Sequence, residues 1–131
     1  MRTIKFRGKS PKTGELLYGD LVHSADGKRI AILVNDANTY DECEVIPCTV
    51  GQFVELTDRN KREVYEGDIL KWKEYDFEKI GVVIWSPTGV FIGRPREHGI
   101  QCIGVASTIK ETEIIGNIHD NPELLKGASN G

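Results

Sequence analysis

The chain has 131 residues, 14 of them glycine, with Lys+Arg 17 against Asp+Glu 20, a net charge of −3 and 39% apolar residues. That is room for one ordinary domain, and folding such a chain buries roughly two-thirds of its extended surface, enough for a core without covalent staples. The balance excludes a collagenous, low-complexity or wholly disordered chain and, lacking a global positive charge, a bulk nucleic-acid condenser.

Taken in chain order, Thr3 to Gly8 alternates, which predicts a half-buried strand with Ile4 and Phe6 inward and Lys5 and Arg7 outward. Ser10-Pro11-Lys12-Thr13-Gly14 is a turn, and Leu16 to His23 is the returning strand of a hairpin. Asp26-Gly27 is a two-residue turn signal leading to a strand over Arg29 to Val34. Asn35 to Glu44 is polar and acidic and reads as a loop. Extended pieces at 44–46 and 49–56 flank Pro47, and Asp58-Arg59-Asn60-Lys61 is a turn in which Asn60 suits the left-handed conformation.

The second half is cleaner. Glu66-Gly67-Asp68 introduces a strand over Ile69 to Trp72, with Asp68 expected to bond backbone at its start. Tyr75 to Lys79 is a charged hairpin tip, and Ile80 to Trp85 an apolar strand covered on both faces. Ser86-Pro87-Thr88-Gly89 turns the chain into a short strand, Val90 to Ile92. Further strands are expected at Ile100 to Val105 and Glu113 to Ile118. Asn121-Pro122-Glu123 opens a short helical turn, with Asn121 as N-cap and Pro122 at the first helical position, before a frayed tail. The expectation is a mainly β chain of about nine short, strongly bent strands in a small barrel or sandwich, punctuated by glycine and SH3-like in its C-terminal half. It divides into an N-terminal β part over 1–56, the SH3-like part over 57–120 and the helical turn and tail over 121–131, all within a single unit.

Three cysteines, Cys43, Cys48 and Cys102, without a secretory signal read as reduced thiols of a cytoplasmic protein. Cys43 and Cys48 do not have zinc-knuckle spacing, and no run approaches the length of a membrane helix. His23, His98 and His119 are scattered, and no phosphate loop, nucleophile elbow or metalloprotease motif occurs. The expectation is therefore no catalytic site, no metal, no cofactor and no membrane. Glu66 and Asp68 could pair for acid–base work on a strand face, although backbone capping explains them more simply. Charge is uneven. Arg2, Lys5, Arg7, Lys9 and Lys12 put five positive charges in residues 1–12, and Asp36, Asp41, Glu42 and Glu44 put four negative charges in residues 36–44. Lys5, Arg7 and Lys9 are the candidate binding residues: a nucleic-acid strip, a match for the acidic segment within or between subunits, or a solvated strand face.

Three stretches together resemble the YopX family, small proteins of bacterial phages and prophages. They are Ile4-Lys5-Phe6-Arg7-Gly8 with Tyr18-Gly19-Asp20-Leu21; Val45 to Phe53 running on through Leu56 to Asn60 and Val64-Tyr65-Glu66-Gly67-Asp68-Ile69-Leu70; and Glu113 to Leu125 with Gly116-Asn117-Ile118 and Asn121-Pro122-Glu123-Leu124. The chain departs from the family at Cys48, where a carboxylate is common, and at Asn60-Lys61, where Asn-Gly is common. The resemblance implies a mainly β fold, a phage or prophage origin and no residue with a catalytic role. Three functions follow as expectations: an interaction module with a protein partner that forms a homo-oligomer, a weak nucleic-acid-binding module, or an enzyme of unknown type.

Overall fold

The computed structural model describes residues 4–36 and 39–128. Strand accounts for 59% of it, in two antiparallel sheets, with one short helix and no closed barrel. The eleven strands are β1 (Phe6–Lys9), β2 (Leu16–His23), β3 (Ile30–Asp36), β4 (Thr39–Glu44), β5 (Gly51–Thr57), β6 (Glu63–Tyr65), β7 (Asp68–Glu74), β8 (Phe77–Ser86), β9 (Gly89–Arg96), β10 (Gly99–Val105) and β11 (Glu113–Asn117). The helix α1 spans Glu123–Ala128. Two 3-10 segments, Pro47–Thr49 and Ala106–Glu111, link strands.

The chain folds as two compact units, Met1–Phe53 and Val54–Gly131. In the first, β4, β3, β2, β1 and the start of β5 lie side by side in that order. The acidic segment expected to be a loop is in fact strand β4, paired with β3 from Ala31↔Glu44 to Asp36↔Thr39. Its polar composition concealed it because it is an edge strand whose Asp41, Glu42 and Glu44 face water. Buried apolar residues here are Ala31, Ile32, Val45 and Phe53.

β1 corrects a second expectation. Ile4 is 56% exposed, whereas Arg7 is 4% exposed. Arg7 and Gly8 are both buried although successive strand residues point to opposite faces. β1 is thus covered on both faces, and alternation cannot be read as inside against outside. Gly19 pairs with Phe6 in β1 and has no room for a side chain: a Cβ there would lie 2.0 Å from the carbonyl oxygen of Leu33.

In the second unit the remainder of β5 is followed by β6, and a five-stranded sheet has the order β10-β9-β8-β7-β11. Val54, Val64, Leu70, Trp72, Val83, Ile92 and Ile109 form one buried cluster. Ile69 of β7, Val82 of β8 and Leu125 of α1 form another, where α1 packs on the sheet. The apolar density of β8 produces what it predicts, since Val82 and Val83, neighbours on opposite faces, are 3% and 1% exposed.

Candidate functional site

The polar residues of the recurring sequence motifs come first, because they would carry any chemistry. Asp58, just after β5, is 3% exposed. Its Oδ1 accepts hydrogen bonds from the backbone N–H of Asn60 and of Arg62, both 2.9 Å, and its Oδ2 accepts one from Ile114 N–H at 3.1 Å. The first two close the β5–β6 turn; the third ties that turn to β11, 56 residues on. The left-handed residue of the turn is Lys61, with φ 64°, and not Asn60 as its residue type suggested. Arg59 adds an exposed ion pair to Glu113 at 3.3 Å.

Asp68 is 2% exposed, and its Oδ2 accepts from Tyr65 N–H at 2.8 Å. Gly67 stands between Glu66 and Asp68 with φ 93°, a conformation that costs glycine little. Its N–H donates to the Val83 carbonyl at 3.0 Å, and its carbonyl accepts from Ile118 N–H at 2.8 Å. Asp68 therefore holds backbone, as its position beside a glycine bend implied.

Asn117 is 8% exposed and organises the third motif. Its Oδ1 accepts from His119 and Asp120 N–H at 3.0 Å each, and its Nδ2 donates to Asp120 Oδ2 at 3.1 Å. The expected N-cap Asn121 instead turns its side chain back, Oδ1 accepting from Asn117 N–H at 3.3 Å. Earlier in the chain, Thr49 Oγ1 donates to the Ile46 carbonyl at 2.6 Å and accepts from Lys9 N–H at 2.9 Å, fixing the segment after β4 against the end of β1. In every case the motif's side chain bonds backbone groups; the Tyr65 N–H held by Asp68 is buried, where an unsatisfied donor costs about 1–3 kcal/mol, and the others are part-buried.

The predicted binding residues fall on β1 and just before it. Lys5 lies with its Nζ 5.3 Å from the ring centre of Phe53, a cation–π contact. Arg7 is buried and Lys9 half-buried. Of the five basic residues in 1–12, Lys12 lines a groove of about 520 Å³ that is also lined by Glu42, Cys43 and Glu44 of β4. The three histidines, His23, His98 and His119, are all exposed, as are Cys48 and Cys102, with Cys43 half-buried. Among the described residues no three His, Cys, Asp or Glu side chains group as metal ligands, and no helix is long and apolar enough to cross a membrane.

A different surface was not singled out from composition. The β7–β8 hairpin closes through Glu74↔Phe77, leaving Tyr75 and Asp76 as its two-residue loop. Both have left-handed backbone, φ 53° and 69°. Tight hairpins demand that geometry and ordinarily fill it with Asn-Gly. A tyrosine there costs roughly 1–2 kcal/mol. Tyr75 is 88% exposed and Phe77 73%, the two most exposed large apolar residues of the described chain. Glu74, Asp76 and Glu78 flank them, with Lys73 in register opposite Glu78 and Lys79 Nζ 3.1 Å from Glu74. The signal in the sequence was two aromatics amid charges where a turn should hold none.

Two open antiparallel sheets, with buried Asp and Asn side chains capping the turns between strands, define a small mainly β protein of unusual turn chemistry. The sequence profile described as YopX protein matches residues 5–126, and the chain belongs to the YopX family. Protein EF1440 from Enterococcus faecalis has a similar crystal structure, with 21% identity, a TM-score of 0.59, and coverage of 95% of this chain and 99% of that one. Protein yopX from Bacillus subtilis is similar at 16% identity and a TM-score of 0.55, covering 95% of this chain and 97% of that one. Both likenesses concern the fold. No curated protein matches the sequence.

Proposed function

We propose that this chain is a non-enzymatic interaction module, encoded by a phage or prophage and working in the bacterial cytoplasm, that binds a protein partner and self-associates. The observation that carries this reading is the hairpin tip. Tyr75 and Phe77 expose apolar area and Tyr75 adopts an unfavourable backbone conformation, so the fold is less stable for having them. Strain and exposed aromatics coincide where a surface is kept for binding, and aromatic residues dominate the energetics of protein interfaces. Glu74, Asp76 and Glu78 stand beside Lys73 and Lys79, so the rim is of mixed charge and the apolar pair carries the contact. The polar motif residues are engaged with backbone, which supports a role for them in folding over one in a reaction.

The nucleic-acid reading draws less support, because Arg7, the middle of the proposed basic strip, is buried. Its test is a salt-dependent shift of single- or double-stranded DNA or RNA that disappears in the Lys5→Glu/Lys9→Glu variant. The interaction reading is tested by affinity capture from a bacterial host lysate with the wild type and the Tyr75→Asn/Phe77→Thr variant side by side. A protein retained by the wild type and lost with the variant is expected. Equal retention by both, or none by either, contradicts the role of the tip.

A further inference from the structure

The two sheets end on four strands: β4, β6, β10 and β11. Unpaired sheet edges invite pairing with another chain, and proteins guard them with charge, brevity or irregularity. β4 carries Asp41, Glu42 and Glu44; β6 is three residues long and begins with Glu63; β11 begins with Glu113. β10 is seven residues, Gly99-Ile100-Gln101-Cys102-Ile103-Gly104-Val105, and has no charge. Its guard is a single bulge between Cys102 and Gly104. Ile103, within that bulge, packs toward the buried core of the unit and leaves Gly99 to Cys102 in regular register with β9.

The face beside this edge is apolar as well. Ile100 is 55% exposed and Val105 56%. In register with β9, Ile100 lies opposite Pro95, Cys102 opposite Gly93 and Val105 opposite Phe91. Gly93 makes the sheet locally thin: a Cβ there would come within 2.5 Å of Ile100 and 2.7 Å of Ile84. α1 packs against β8 at the Ile69–Val82 part of this sheet, and the β10 part is left exposed.

We infer that the edge and adjoining face of β10 form a contact between two copies of this chain, β10 running antiparallel to β10. The inference rests on the interaction-module reading and names a surface for the self-association in it. A two-fold antiparallel contact sets a strand against its own reversed sequence, so a charge near the middle of the strand would meet a like charge. A neutral strand meets no such penalty and gives a charged partner nothing to recognise. The size of the surface sets the strength. Seven residues of two strands span roughly 23 by 10 Å. That is well below the ~800 Å² per partner of a stable complex. The contact is therefore weak and concentration-dependent.

Sedimentation velocity from about 10 to 500 μM, a range set by weak interfaces, tests this on the intact chain. A concentration-dependent dimer is expected for the wild type. It should weaken roughly tenfold or more in Ile100→Lys and, separately, in Val105→Lys, as removal of a central apolar contact does. It should persist in Tyr75→Asn/Phe77→Thr, and circular dichroism should show all three variants folded. A wild-type monomer throughout overturns both the contact and self-association. A dimer that survives both lysine variants overturns the β10 contact alone. A dimer lost only with the tip variant moves self-association to the hairpin.

Discussion

Among the described residues, the unit Met1–Phe53 buries the apolar Ala31, Ile32, Val45 and Phe53, and also buries Arg7. The unit Val54–Gly131 buries two apolar clusters and places carboxylates and an amide, Asp58, Asp68 and Asn117, where they cap its turns. The first unit relies on close backbone approach, as at Gly19 against Leu33, and on a strand covered on both faces. The second relies on apolar area, with Asp58, Asp68 and Asn117 accepting hydrogen bonds from backbone N–H groups at its turns. Polar motif residues need not mark chemistry: three different buried side chains, Asp58, Asp68 and Asn117, hold backbone N–H groups in one unit.

Substitutions in the two cores and turns separate the two units. The largest effect is expected for Leu70→Ala in the second unit. Leu70 is 0% exposed, and such a truncation costs about 2–5 kcal/mol through lost burial and the cavity left. Ile32→Ala in the first unit tests whether its smaller core is as well packed; Ile32 is also 0% exposed, and a loss in the lower part of the same ~2–5 kcal/mol range is expected. Urea unfolding measures both. A larger loss at Ile32 than at Leu70 would reverse the contrast between the units.

Asp58→Ala comes next. It leaves three part-buried backbone N–H groups without their acceptor, two of them in exposed residues that water reaches, and a loss of roughly 1–3 kcal/mol is expected. Asp58→Asn, which keeps one acceptor oxygen, should lose less. The tip runs the other way. Tyr75→Asn/Asp76→Gly should raise stability by about 1 kcal/mol, because both residues then suit a left-handed turn.

The smallest effect is on pH. Asp26, fully exposed in the β2–β3 turn, is held below its usual carboxylate range by the Ser24 hydroxyl and then by the Lys28 N–H. Its contribution is present above the ordinary pKa of 3.8 and is lost as pH falls through the lowered value. NMR titration should find Asp26 below 3.8, returning toward it in Ser24→Ala.

How far the sequence foretold this is visible residue by residue. The Asp68 cap and the hairpins at Asp26-Gly27 and Tyr75 were legible because turn chemistry is local. β4 was not, because an exposed edge strand has no apolar face to show. Arg7 was not, because strand alternation assigns inside and outside only when one face is wet. Asn121 was assigned to the nearest helix start, and the actual partner, Asn117 N–H, required the folded turn. The exposure of Tyr75 and Phe77 followed from the closing pair Glu74↔Phe77, a register that composition does not specify.

The polar motif residues hold the fold and the exposed tip does not, and one measurement tests this directly. It is equilibrium urea unfolding of Asp58→Ala and Tyr75→Asn/Phe77→Thr against the wild type. The expected result is a midpoint well below wild type for Asp58→Ala and one at or above it for the tip variant. A wild-type midpoint for Asp58→Ala, or a clear loss for the tip variant, would contradict the account.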